Sequence, residues 1–212
     1  MANDLLPVED ALDRILTALS PLPAEVVPIS EALGRVTAEP ILARRTQPPV
    51  AVSAMDGYAV RAADVATVPV TLRRVGSAPA GGGYAGTVGP GEAGRIFTGG
   101  PVPAGADAIV LQEDVDASTE TDGADVLVRE GAPAGTFVRP AGLDFRTGDV
   151  GVPAGRRLSA RDIGLAAAMN VPWVRVTRRP RVAILSTGDE IVRPGELDDP
   201  TRIVSSNAYA LA

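Results

Sequence analysis

Hydrophobic positions change their period along the chain. Val8, Leu12, Ile15, Leu16 and Leu19 recur at helical spacing, with Glu9 and Asp10 where a first turn favours acidic side chains. This predicts an amphipathic helix over 8–20, stopped by Pro21 and Pro23. A helical turn follows around Ser30–Leu33, then a strand over Val36–Ala43. From about 66 to 140 the runs become short and β-like: Val68–Val75, Gly94–Phe97, Ala108–Gln112 and Val126–Val128, divided by Gly- and Pro-rich turns. Pro-Ala-Gly recurs at Pro103, Pro133, Pro140 and Pro153. Proline pre-sets the first turn angle and glycine supplies positive φ, so these are chain reversals. Their irregular intervals do not fit a solenoid.

Ser159, with Asp162 three residues on, reads as a variant capping box opening a helix to about Asn170, ended by Pro172. Trp173–Val176 reads as a strand. Arg178-Arg179-Pro180-Arg181 is a solvated connector or, alternatively, an anion-binding run. Val182–Ser186 is continuously apolar, as expected of a buried parallel strand, and Ser206 or Asn207 is placed to cap a helix at Ala208–Leu211. Residues from about 181 onward therefore read as the opening β-α unit of a further domain. The whole is an α+β, multidomain chain.

Composition narrows the chemistry. The 212 residues contain no Cys and no His, and all 20 basic side chains are Arg. This excludes a thiolate nucleophile, a disulfide framework, a Cys/His zinc site and a Schiff-base lysine. What remains is carboxylates, hydroxyls, Arg, backbone amides and a bound hard cation. With 3% aromatic residues, the cores must be built from Val, Leu, Ile and Ala. A net charge of −6 argues against nucleic acid as a partner. No stretch approaches the roughly 18 apolar residues of a membrane span, and Met1-Ala2-Asn3-Asp4 opens no signal peptide, so cytoplasmic residence is the expectation.

Four segments carry candidate chemistry. In Ser53-Ala54-Met55-Asp56-Gly57-Tyr58, Asp56 is either an ordinary turn residue or a carboxylate at a pocket rim, as a metal ligand or water-orienting group. Phe97-Thr98-Gly99-Gly100-Pro101 is either a glycine-rich hairpin or a cradle of amides and the Thr98 hydroxyl for an oxyanion. In Gly142-Leu143-Asp144-Phe145-Arg146, Asp144 is a site carboxylate or the surface partner of Arg139 or Arg146. Ser186-Thr187-Gly188-Asp189-Glu190 follows the Val182–Ser186 run, where open α/β sheets bind ligands, and suits a phosphorylated ligand with a cation such as Mg²⁺. It lacks the Lys and spacing of a Walker loop.

In wording and order these motifs resemble the molybdenum insertases, a family that includes bacterial molybdopterin molybdenumtransferase and the equivalent domain of gephyrin. The resemblance implies insertion of molybdate into adenylated molybdopterin with release of AMP and help from Mg²⁺ or another divalent cation. It assigns active-cleft roles to Asp56, Thr98, Asp144 and Glu190, and pterin binding to Ser186, Thr187, Gly188 and Asp189. No metal ligand is singled out. It further implies a homodimer whose cleft is shared between subunits. Residues 1–51 and 141–177 would form a mixed α/β linking and dimerisation region around a β-rich module at 52–140. Residues 181–212 would begin a doubly wound, molybdopterin-binding α/β domain. Two alternatives stand beside this: a non-catalytic dimerisation or scaffold fragment of the family, and an unrelated phosphate-ligand enzyme using the Ser186–Glu190 loop. Family members continue through a fuller α/β domain and a C-terminal β-barrel domain.

Overall fold

A computed structural model describes residues 6–117, 119, 121–196 and 199–212. The chain divides into two compact units, one of residues 26–176 and one pairing residues up to 25 with 177–212.

The larger unit is β-rich. Strand β1 (Ala24–Pro28) pairs with the last long strand, and β2 (Ile41–Leu42), β3 (Val52–Ser53) and β4 (Gly57–Val60) follow. Then come β5 (Val70–Ala78), β6 (Glu92–Ile96), β7 (Ala108–Leu111), β8 (Val115–Ala117) and β9 (Asp125–Val128). Together with β4, these five form a six-stranded sheet in the order β7-β4-β6-β5-β9-β8. Only β5 and β6 run parallel; the other neighbours are antiparallel. The sheet is covered on both faces. Tyr58, Val60, Leu72, Val110 and Val126 pack on one side, while Ala59, Ala78, Ile96 and Ile109 pack on the other. Hence every residue of β4 is buried, and its apolar run does not alternate with polar residues.

A second core lies outside that sheet. β10 (Val138–Arg139) pairs with β3, and β11 (Val150–Val152) with β2. Val27, Ile41, Phe145, Val152, Leu158 and Val176 pack together beneath α2 (Ala160–Ala168) and β12 (Trp173–Thr177). Helix α2 opens on the capping box read in the sequence. The Ser159 hydroxyl accepts from the Asp162 amide, and the Asp162 carboxylate accepts from the Ser159 amide at 2.8 Å. The helix ends earlier than Asn170, which sits at φ 61° as part of the exit turn.

In the smaller unit, α1 (Val8–Ala18) forms where the periodicity placed it and buries none of its residues; Val8 is 83% and Ile15 58% exposed. The expected buried strand at Val182–Ser186 does not form. Residues 181–188 take no regular structure, no β-ladder partner for them exists among the described residues, and Leu185 is 85% exposed. An apolar run becomes a parallel strand only with neighbours to satisfy its backbone and cover its faces. The parallel pair here is instead β13 (Ile191–Val192) with β14 (Ile203–Val204), followed by the single turn α3 (Asn207–Ala210). Among the described residues no helix is long and apolar enough to cross a membrane.

Candidate functional site

The first site residues are brought together by strand register. Gly57 at the start of β4 lies opposite Ile96 at the end of β6, so Asp56 and Thr98 meet just beyond the paired ends. Both the Thr98 amide and the Thr98 hydroxyl donate to Asp56 Oδ1, each at 2.7 Å. The amide bond is the main cause that holds the Asp56 carboxyl below the ordinary carboxylate range. The hydroxyl bond and the Arg95 charge act in the same direction, and partial burial opposes them. Oδ2 makes no hydrogen bond among the described residues. The result is an anion with one oxygen fixed and the other open.

Gly57 is required at this junction because a Cβ there would run into the carbonyl oxygen of Val110 on β7. Gly99 takes φ +80°, which turns the chain back so that its amide donates to Ser53 O at 2.9 Å. The Gly100 amide closes onto Phe97 O at 2.7 Å. All three successive amides of Thr98–Gly100 are therefore committed inside the protein. Of the two readings of this segment, the amides that an oxyanion cradle would use are taken from within, by the Asp56 carboxylate and two main-chain carbonyls, as in a closed glycine-rich turn.

Asp144 is exposed, its amide donates to Gln47 O at 3.0 Å, and it makes no ion pair among the described residues. Neither Arg139 nor Arg146 neutralises it; the Arg146 guanidinium donates to Ala141 O at 3.2 Å instead. Asp144 and Arg139 line a cavity of about 340 Å³ with Gln47, Val52, Gly82 and Gly99. That cavity adjoins Thr98 through Gly99.

Ser186–Glu190 and Glu190 itself belong to the smaller unit, whereas Asp56, Thr98 and Asp144 belong to the larger. Ser186 Oγ lies 3.2 Å from Ser205 Oγ, Arg202 donates to Asp189 O at 2.6 Å, and Glu190 O accepts from the Ile203 amide at 2.7 Å. Gly188, at φ +135°, sits where a Cβ would meet the Glu190 carboxylate. Among the described residues no three carboxylates converge to hold a metal ion.

Sequence reasoning gave no role to Arg95 or Gln112, and saw Arg139 only as a candidate surface partner of Asp144. The one local signal for Arg95 was a charged residue set between Gly94 and Ile96 in an otherwise apolar stretch of strand.

The model of the MoeA N-terminal region (domain I and II) matches residues 6–170. The chain belongs to the MoeA family. Among curated MoeA-like relatives, a molybdopterin molybdenumtransferase of Nostoc sp. is 42% identical over 192 residues, 89% of this chain and 43% of the relative. A molybdopterin molybdenumtransferase 1 of Mycobacterium tuberculosis is 35% identical over 225 residues, 97% of this chain and 52% of the relative. The chain thus spans about half the length of the curated relatives it matches. The crystal structure of a molybdopterin biosynthesis MoeA protein from Pyrococcus horikosii superimposes with a TM-score of 0.84 at 37% identity, over 98% of this chain and 53% of that one. The resemblance carried by the four motifs is a true membership.

Proposed function

We propose that this MoeA chain serves molybdenum cofactor biosynthesis as the domain I and II part of a molybdopterin molybdenumtransferase. The observation that carries the reading is the Asp56–Thr98 pair: a carboxylate held ionised by two donors on one oxygen, its other oxygen open, in a chain similar along its length to enzymes of that name. The substrates are molybdate and adenylated molybdopterin, and AMP is the leaving product. A carboxylate with a lowered pKa is a weak proton acceptor near neutrality. Asp56 therefore acts as a fixed anion, orienting a water or substrate hydroxyl through Oδ2. Arg139, in the adjoining cavity, supplies the guanidinium that an oxyanion needs, and Asp144, which lines the same cavity, serves as a cleft carboxylate. Ser186, Thr187, Gly188 and Asp189 are assigned to pterin binding, and Glu190 to the carboxylates of the active cleft.

Mg²⁺ or another divalent cation belongs to the reaction as proposed. The described residues do not fit it, because no three of their carboxylates converge, so no step is assigned to a metal. The enzyme would be cytoplasmic and work as a homodimer with a shared cleft. In the protein of full family length, Asp56→Asn keeps an oxygen for Thr98 but removes the charge. Molybdate insertion should fall at least about 100-fold with the melting temperature nearly unchanged. Retained insertion would remove Asp56 from the mechanism.

The scaffold reading has its own supporting observation, the apolar stripe of α1, none of whose residues is buried. It would take precedence if the 212-residue chain sedimented as a stable dimer while binding no pterin.

A further inference from the structure

Arg95 is 6% exposed, lies in the middle of a sheet and has no carboxylate bonded to it among the described residues. Its Nη1 donates to Gly57 O at 2.9 Å and its Nη2 to Gln112 Oε1 at 2.8 Å. Its guanidinium also lies over two rings, Phe97 at 4.6 Å and Tyr58 at 5.3 Å. Each contact leads back to the same place. Gly57 follows Asp56 directly, Phe97 precedes Thr98 directly, and the Gln112 amide donates to Asp56 O at 3.3 Å. One rigid, planar cation thus grips the chain next to both members of the Asp56–Thr98 pair, and grips the residue that holds the Asp56 main chain.

Arg95 is a poor device for stability alone. Its Nε is buried without a partner among the described residues, and a desolvated, incompletely bonded guanidinium is commonly replaceable by an apolar side chain with little loss. We propose that Arg95 is the positioning residue of the site, a three-point clamp that sets the Asp56–Thr98 separation. Its significance for catalysis rests on the function proposed above, but its existence does not. The contacts explain why Arg is needed. Two acceptors and two ring faces match a fork that stacks, whereas the point charge of Lys offers neither the fork nor the plane.

The test is amide exchange in the 212-residue chain, followed by NMR. In Arg95→Met the Thr98 amide should exchange at least about tenfold faster, while amides of α2 keep their wild-type rates. Arg95→Lys should restore no more than part of the protection, because charge returns without the fork. If Arg95→Met does not fold, Gln112→Ala and Phe97→Leu each remove one arm and should each accelerate Thr98 selectively. Unchanged Thr98 exchange in a folded Arg95→Met chain, or full rescue by Lys, overturns the clamp. In the protein of full family length, Arg95→Met should lower kcat for molybdate insertion with little change in KM. Faster Thr98 exchange with normal insertion would leave the clamp standing and count against the function instead.

Discussion

At the scale of single residues, the decisive geometry is a carboxylate and a threonine 42 positions apart sharing two short hydrogen bonds. Both partners were visible as motif members, but their bonding to each other was not. It depends on the register of β4 against β6, which neither local stretch encodes. The same bonds make a pH prediction. The folded-state pKa of Asp56 lies below the unfolded value of about 3.9. The stabilisation is therefore complete above that value and is lost as pH falls through the lower, folded-state value. Thr98→Val removes the hydroxyl arm. Its stability deficit in urea should be clear at pH 7 and shrink steadily below about pH 4. A deficit independent of pH would mean that the hydroxyl acts by packing and not on the carboxylate.

Elements were legible to the extent that their signal was local. The capping box at Ser159 and the helical spacing after it needed no distant partner, and α2 formed accordingly. Ser159→Ala should cost about 1 kcal/mol and lower the melting temperature by about 3 °C, measured calorimetrically. The Val182–Ser186 run shows the opposite limit. Hydrophobicity announced a wish for burial, but a strand also needs adjacent strands, and no pattern within five residues reports whether they exist. At Gly57 an invisible constraint works the other way, since only the approach of β7 reveals why a side chain is forbidden. Gly57→Ala should destabilise the larger unit by about 3 kcal/mol, the upper end for a forced overpacking. A denaturant midpoint like that of the wild type would show that β7 can move aside.

At the scale of the whole molecule, the separation into two units has a proteolytic signature. Arg178, Arg179 and Arg181 are exposed, and residues 181–188 have no regular structure. Brief trypsin treatment should cut after Arg178 and Arg181 first and leave a product spanning 26–176 with its native hydrogen-exchange protection; early cleavage within that span would contradict its compactness. The fold of that product carries a kinetic burden. β4 lies between β6 and β7, both of which come later in the chain, and β6 reaches it only after β5 has crossed to its far side. Such non-local pairing places folding in the slow class, on the order of milliseconds to seconds. On the ribosome the consequence is sharper. The apolar strand bearing Gly57, Tyr58, Ala59 and Val60 emerges first, with neither neighbour yet made. Any nascent chain halted before Leu111 therefore exposes an unzipped strand to its surroundings, and translation pauses in that interval should raise the need for a chaperone.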